Sequence, residues 1–515
     1  MKTLIKDKYI TLPVNPRAAS KKVSIFNSDG LLFDFDCRID NLNPSFTAYV
    51  DVSAYVGIEA ELTIDPCVLY EPMFASEMAL PSLWQEPLRP EVHFTVKNGW
   101  NNDPNGLVYR DGIYHMFYQY NPAAPVWGNM HWGHAVSRDL LHWEEKDIAL
   151  FPDALGTMFS GSAFTDEKNA AGFGEGTMLL YYTAAGNHSL LSAGQKFTQC
   201  LAYSKDGEKF IKYDGNPIVP HIEAANRDPK VVYVEEIDKY IMAIYRAEGR
   251  YQLLSSCDLI SWSQFQEIEI HGDGECPDLF ALKCGGQKYW VLMGAKDIYM
   301  VGHFEKDRFV IDNSEKKLTH LKMSYAAQSF SGVEDGRVVR IAWHILNAPA
   351  DNFASQMSFP TEMTLEKCGE EIYLASTPIK EIEQLYVNGE EKHNVWLEKP
   401  YTVRTGASAL DIAFTMPYIH GEKLVINMFG TDLACDMEKN EIRCKNVKMP
   451  LSISGDKVDM RIIVDRCSVE IFADGGKIFA AAVAFADYNL PYVVLRENEK
   501  IQIDNFTWHT LKKIH

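Results

Sequence analysis

Along most of this chain apolar and polar residues alternate with a period of two, the spacing of half-buried β-strands; helical periodicity is scarce. The segment NGLVYRDGIYHMFYQYNP (105–122) shows the pattern clearly. Two alternating runs flank Asp111-Gly112, a dipeptide suited to the left-handed backbone of a tight hairpin turn. Comparable units recur: GSAFTDEKN with TMLLYYTAAG from about 161, DPKVVYVEEIDKYIMAIYRAEG from 228, and CPDLFALKCGGQKYWVLMGAKD from 276. A fifth, SFSGVEDGRVVRIAWHILN, starts near 329. A spacing of about 50 to 70 residues is close to that of propeller blades. The pattern predicts an all-β chain whose residues 86–368 form a five-bladed β-propeller.

The texture changes beyond this region. In TPIKEIEQLYVNG, Ile379, Ile382 and Leu385 recur at helical spacing, which predicts a linker with a short helix over 369–388. Alternating runs such as KLVINMFG, MRIIVDRCSVEIFADGG and KIFAAAVAF follow and predict a C-terminal β-sandwich over 389–515. LLFDFDCRI, SFTAYVDVSAYV and AELTID alternate in the same way and predict a small N-terminal β-module within 1–85.

Length and composition narrow the function classes. The 515 residues suit roughly three domains. The 50 Lys and Arg are outnumbered by 70 Asp and Glu, and a net charge of −20 repels nucleic acid and anionic membrane surfaces. The N-terminal residues lack the apolar core of a signal peptide, and no run approaches the roughly 18 apolar residues of a membrane span. Ten cysteines are scattered without a Cys-x-x-Cys pair, so they read as reduced thiols. A cytoplasmic protein is expected. Aromatic residues make up 12%, which suits both β-structure and the C–H faces of sugars.

Three acidic residues occupy corresponding places in the repeats. Asp103 lies in WNNDPNG, Asp228 in NRDPK and Glu275 in GECPD, each at the head of a unit. The first strand of each blade lines the central channel, so these side chains should converge although they are far apart in sequence. Mutual repulsion and burial would raise at least one pKa, as an acid that donates a proton near neutrality requires. Each segment also has a purely structural use. Asp103 could cap its turn, Arg227 and Asp228 could form an ion pair, and Glu275 could sit on a solvated edge.

WNNDPNG (100–106), FYQYNP (117–122), HWGHAVSRDLLHW (131–143), FSGSA (159–163), RDPK (227–230) and GECPD (274–278) resemble, in order, the motifs of glycoside hydrolase family 32. The segment DMRIIVDRCSVEIFADGG (459–476) resembles the family's C-terminal sandwich. The family comprises invertases, exo-inulinases and levanases. The resemblance implies a retaining β-fructofuranosidase that releases terminal fructosyl units from sucrose, fructo-oligosaccharides, inulin or levan by double displacement. It further implies Asp103 as nucleophile, Asp228 as transition-state stabiliser and Glu275 as general acid/base. Asn102, Gln119, Trp127, Phe159 and Ser160 match positions that line the fructose pocket, and Arg227 can hold a carboxylate or sugar hydroxyls in a fixed fork as a further substrate-binding residue.

The chain departs from the family at Asn101, where Met is usual, and at Phe353, which stands where many members carry a pocket-lining Trp. His115, His131, His134 and His142 invite a metal reading. On alternating strands they should point different ways, so neither metal nor cofactor is expected. A fructosyltransferase and a non-catalytic carbohydrate-binding propeller are the alternatives, with an arabinan- or xylan-active propeller hydrolase behind them. Self-association through residues 1–85 or the sandwich is a further expectation.

Overall fold

The computed structural model describes every residue except 1, 69, 321–322, 347–351, 407, 446, 452–455, 486, 488–491 and 497–500. Five antiparallel sheets succeed one another along the chain. Their first strands are Gly99–Arg110, Thr157–Asp166, Arg227–Val234, Asp278–Cys284 and Ser324–Ser329. These strands touch in cyclic order, the fifth returning to the first, so the sheets surround a common axis as propeller blades. The short strand Phe353–Ala354, which follows the fifth unit's second strand, pairs parallel with Gly99 and Trp100 and draws the ends of the ring together. Each sheet is covered on both faces by its neighbours. Strand Thr177–Ala185, TMLLYYTAA, is accordingly buried along its whole length.

Polar side chains stitch the inner strands together. Lys230 Nζ lies 2.8 Å from Asp278 Oδ1 and donates to the Ser329 carbonyl at 2.8 Å, joining the third, fourth and fifth sheets. Asp278 accepts in turn from Ser329 N–H at 2.9 Å and from its hydroxyl at 3.0 Å. Gln328 donates to the Gly161 carbonyl and accepts from Leu107 N–H, spanning the fifth, second and first sheets. Ser162 Oγ accepts from Val231 N–H, between the second and third.

The N-terminal residues form two small sheets, of four and three strands, around their own apolar core. At the other end, two six-stranded sheets enclose the core of a sandwich. The segment 369–388, expected as a linker, is largely strand. Glu371–Pro378 alternates in burial and pairs with Thr361–Cys368 in the fifth sheet. The helical spacing beyond it is met by a six-residue 3-10 turn, Lys380–Leu385, that buries Ile382 and Leu385.

Propeller and sandwich meet over a buried charged cluster. His93 Nδ1 lies 2.8 Å from Asp465 Oδ2, and its Nε2 lies 3.7 Å from Glu470 Oε1. Burial pushes the imidazole pKa down, but the hydrogen bonds and charges of Asp465 and Glu470 outweigh it and raise the value to about 9.

Two outcomes are expected. Lys230→Met leaves Asp278 buried without its cation and should cost about 3–5 kcal/mol in denaturant unfolding, as breaking a buried pair does. Because the folded pKa of His93 exceeds the unfolded ~6.5, its stabilisation is complete below that pH and is lost as pH rises through about 9. The melting temperature should therefore fall between pH 6.5 and 9.5, and fall less in His93→Gln.

Candidate active site

The inner strands share an irregularity at one level. Pairing slips between Asn101 and Pro104 in the first sheet, Phe159 and Gly161 in the second, Arg227 and Lys230 in the third, and Tyr325 and Gln328 in the fifth. A bulge re-aims the side chain it displaces. Here the displaced residues include Asp103, Ser160 and Asp228. In the fourth sheet Glu275 and Cys276 precede the strand with left-handed backbones, φ 65° and 35°, and Asp228 has φ 66°. Non-glycine residues hold such angles only where their surroundings impose them, at about 1–3 kcal/mol each.

The three acidic residues read from the repeats are brought together. Ser160 Oγ donates to Asp103 Oδ2 at 2.6 Å. Cys276 Sγ lies 3.5 Å from both Asp103 Oδ2 and Asp228 Oδ2, and its backbone N–H donates to Asp228 Oδ2 at 2.9 Å. Arg227 Nη2 donates to Glu275 Oε1 at 2.5 Å, while its Nε lies 3.6 Å from Asp228 Oδ2. Tyr325 OH donates to Glu275 Oε2 at 2.6 Å. The Glu275 side chain is 38% exposed and that of Asp228 only 5%, so Glu275 faces the solvent side.

Burial raises the Asp103 pKa and the charge of Glu275 adds to it, against hydrogen bonds from Ser160, Asn102 and Cys276. Burial likewise raises Asp228, to about 7. Arg227 and the Cys276 N–H oppose that rise, whereas Asp103 and Glu275 reinforce it. Burial and the three carboxylates hold the Cys276 thiol well above its ordinary range. It is therefore a neutral S–H donor set between two carboxyl groups.

The remaining sequence-derived residues flank this centre. Asn102 is buried and accepts from Trp100 Nε1 at 2.8 Å. Gln119 donates to the Met158 carbonyl at 2.8 Å, so part of its hydrogen-bonding capacity serves the strand beneath. Trp127 is 53% exposed and meets Phe159 edge-on at 6.0 Å. Asn101, in the usual Met position, is fully buried with both amide atoms unpartnered.

Phe353, in the place of the family's usual Trp, is fully buried, with the Arg89 guanidinium 3.7 Å from its ring centroid. Trp343 packs against the cluster of Trp100, Met130 and Ala354, as Phe159 also does, and meets Tyr325 edge-on at 6.3 Å. One expectation is corrected. The histidines do not all diverge. His115 Nδ1 and His134 Nε2 lie 3.0 Å apart because they are diagonal neighbours on one face of the sheet, whereas His142 bonds Asp139. Burial lowers the His115 pKa to about 4 and drives that of His134 well below normal. Among the described residues, the group whose ligand atoms could share a metal ion is His93, His344 and Glu470, within 4.8 Å of one another. Protonated His93 already supplies that pocket with a positive charge.

Cys276, Tyr325, Trp343 and His188, whose ring lies 5.0 Å from Phe159, complete the site and were not singled out in sequence. Tyr325 had a usable signal. It stands at the head of the fifth inner strand, which begins at Ser324 rather than near 329.

Together, the ring of sheets and the carboxylates at the heads of its inner strands define a propeller enzyme of the glycosidase type. The sequence model of the glycosyl hydrolases family 32 N-terminal domain matches residues 93–378, and that of the family's C-terminal domain matches 425–510. The chain belongs to glycosyl hydrolases family 32. It is 32% identical over 503 residues to a levanase of Bacillus subtilis, with 86% of this chain and 73% of that protein covered. A second levanase, from a Bacillus species, is 28% identical, with 92% of this chain but only 57% of the relative covered. Among solved structures, an exo-inulinase from Aspergillus awamori superposes with a TM-score of 0.75 at 25% identity, over 84% of this chain and 100% of the other. A fructofuranosidase from Schwanniomyces occidentalis complexed with fructosylnystose gives 0.75 at 25% identity, over 85% and 100%.

The raised Asp228 value has a measurable consequence. Ionising this carboxyl costs the folded chain more than the unfolded one, whose value is ~3.9, so stability is lost as pH rises from there through about 7. Asp228→Asn should melt above wild type at pH 8 and with it at pH 4.

Proposed function

We propose that the protein is a retaining β-fructofuranosidase that releases terminal fructosyl units from sucrose, fructo-oligosaccharides or fructans. One observation carries the reading. Three carboxylates from separate blades are gathered around one thiol and one guanidinium, and one of them faces solvent. The named relatives and the ligand-bound neighbour act on or hold fructosides, which gives the substrate class.

In this reading Asp103 attacks the anomeric carbon while Glu275 gives its proton to the departing glycosidic oxygen. A fructosyl ester on Asp103 results. Glu275, now a carboxylate, takes a proton from water as the water oxygen attacks the same carbon, which frees Asp103 and restores the Glu275 proton. Ser160 and Cys276 hold Asp103 in one orientation. Asp228 stays charged beside the oxocarbenium-like state, and Arg227 ties it to Glu275. Trp127, Phe159 and Trp343 offer apolar surface to the sugar, and Asn102 and Gln119 offer hydroxyl partners. A cytoplasmic setting belongs to the same proposal, supported by ten unpaired cysteines of which Cys37, Cys200, Cys435, Cys444 and Cys467 are buried.

Fructose release from sucrose, inulin and levan tests the assignment. Glu275→Gln should lower kcat about 10²–10⁴-fold with little change in KM; equal rates would remove Glu275 from its role. Proton NMR during early turnover should show β-fructofuranose first, whereas the inverted anomer would exclude double displacement. Since Asp103 and Asp228 must be ionised and both have raised pKa values, kcat/KM should fall on acidification well above the ordinary aspartate range.

A further inference from the structure

The N-terminal sheets are fastened to the two propeller loops that carry the site's outer aromatic residues. Asp36 N–H donates to Asn129 Oδ1 at 2.7 Å, and Asn129 Nδ2 donates back to the Asp36 carbonyl at 2.7 Å. Asn129 belongs to the loop that holds Trp127. The Asp34 carboxylate accepts from the Leu190 and Leu191 N–H groups, both at 3.0 Å, and so fixes the loop that holds His188. Cys37 Sγ lies 3.6 Å from the Ala123 carbonyl at the base of the first loop.

Between these fastenings lies a cavity of about 360 Å³, within the size range of small-ligand sites. Asp36 and Arg38 line it from the N-terminal side, and Trp127, Asn129, Phe159 and His188 line it from the propeller. None of the three carboxylates lines it, yet Phe159 adjoins Ser160, which holds Asp103. The cavity therefore borders the place of bond cleavage without containing it. Its lining suits a sugar. Trp127 presents a half-exposed indole, and charged and amide groups stand around it as hydroxyl partners. Arg38 Nη1 is held by the Pro16 and Ala18 carbonyls at 2.8 and 3.3 Å, which positions the guanidinium and leaves it further N–H donors.

We propose that the N-terminal module completes an outer subsite that binds sugar units of a fructo-oligosaccharide beyond the scissile pair, with Asp36 and Arg38 as its hydroxyl partners and Trp127 as the wall it shares with the fructosyl pocket. The inference rests on the fructosidase reading for the identity of its ligand. It assigns to residues 1–85 a part in substrate choice, distinct from the cleavage chemistry.

Two variants test it with sucrose and a four-unit inulin-type fructo-oligosaccharide as probes. Arg38→Ala removes a partner, and Ser20→Trp fills the cavity from an exposed lining position. Each should lower kcat/KM about tenfold for the oligosaccharide and less than twofold for sucrose. Equal losses on both substrates, or no loss on the oligosaccharide, would overturn the subsite. In a Glu275→Gln background, calorimetric titration should show about tenfold weaker oligosaccharide binding on adding Arg38→Ala, and an unchanged dissociation constant would also overturn it. Should wild type release no fructose from either probe, the fructosidase reading falls. The titration, which needs no turnover, then decides the subsite alone.

Discussion

The constraint on which the site depends is the polar stitching of the five inner strands. Lys230, Asp278 and Ser329 lock three of them, and Gln328 and Ser162 join the rest. Each stitch lies only a few residues beyond a functional group in the chain. Lys230 follows Asp228 by two positions, Asp278 follows Glu275 by three, Gln328 follows Tyr325 by three, and Ser162 follows Ser160 by two. A strand advances about 3.3 Å per residue, so fixing the stitched level fixes the heads of the strands to within a short lever arm. Buried polar groups with all partners in place tolerate little displacement, because each displaced group would be left unpaired in a medium that cannot solvate it.

Above that level the strands cease to pair regularly, and the freed backbone presents its side chains to a common centre. Gathering carboxylates there is unfavourable electrostatically, as the raised Asp103 and Asp228 values record. Arg227 supplies one compensating charge, and Ser160, Cys276 and Tyr325 supply hydrogen bonds. Cys276 matters because a neutral thiol can donate toward two carboxyl groups without adding a charge of its own. The strain sits in the left-handed backbones of Asp228, Glu275 and Cys276, which the stitched ring below over-determines.

Much of this was legible in sequence because repetition and alternation are local signals. The sheets follow from period-two runs and Asp-Gly turns, and Asp103, Asp228 and Glu275 were visible as acids at the heads of successive units. The aromatic part was harder. Phe353 stands in the place of the family's Trp but is drawn under Arg89, while Trp343, on the strand that precedes it in the chain, meets Trp100. Tyr325 is hidden because the alternation of the fifth unit is clear only from Ser329, the last residue of the inner strand Ser324–Ser329. His115 and His134 needed the pairing register, which sets them diagonally on one face. The docking of the N-terminal sheets left no pattern at all. It runs through Asp34 and Asn129 to backbone groups 156 and 93 positions away, and such contacts have no periodicity to read.

The slips in pairing divide four of the five blades into a laddered part and a rim. A change of a rim side chain therefore breaks no ladder hydrogen bond, so altering the chemistry at the rim is kept apart from altering the fold beneath it.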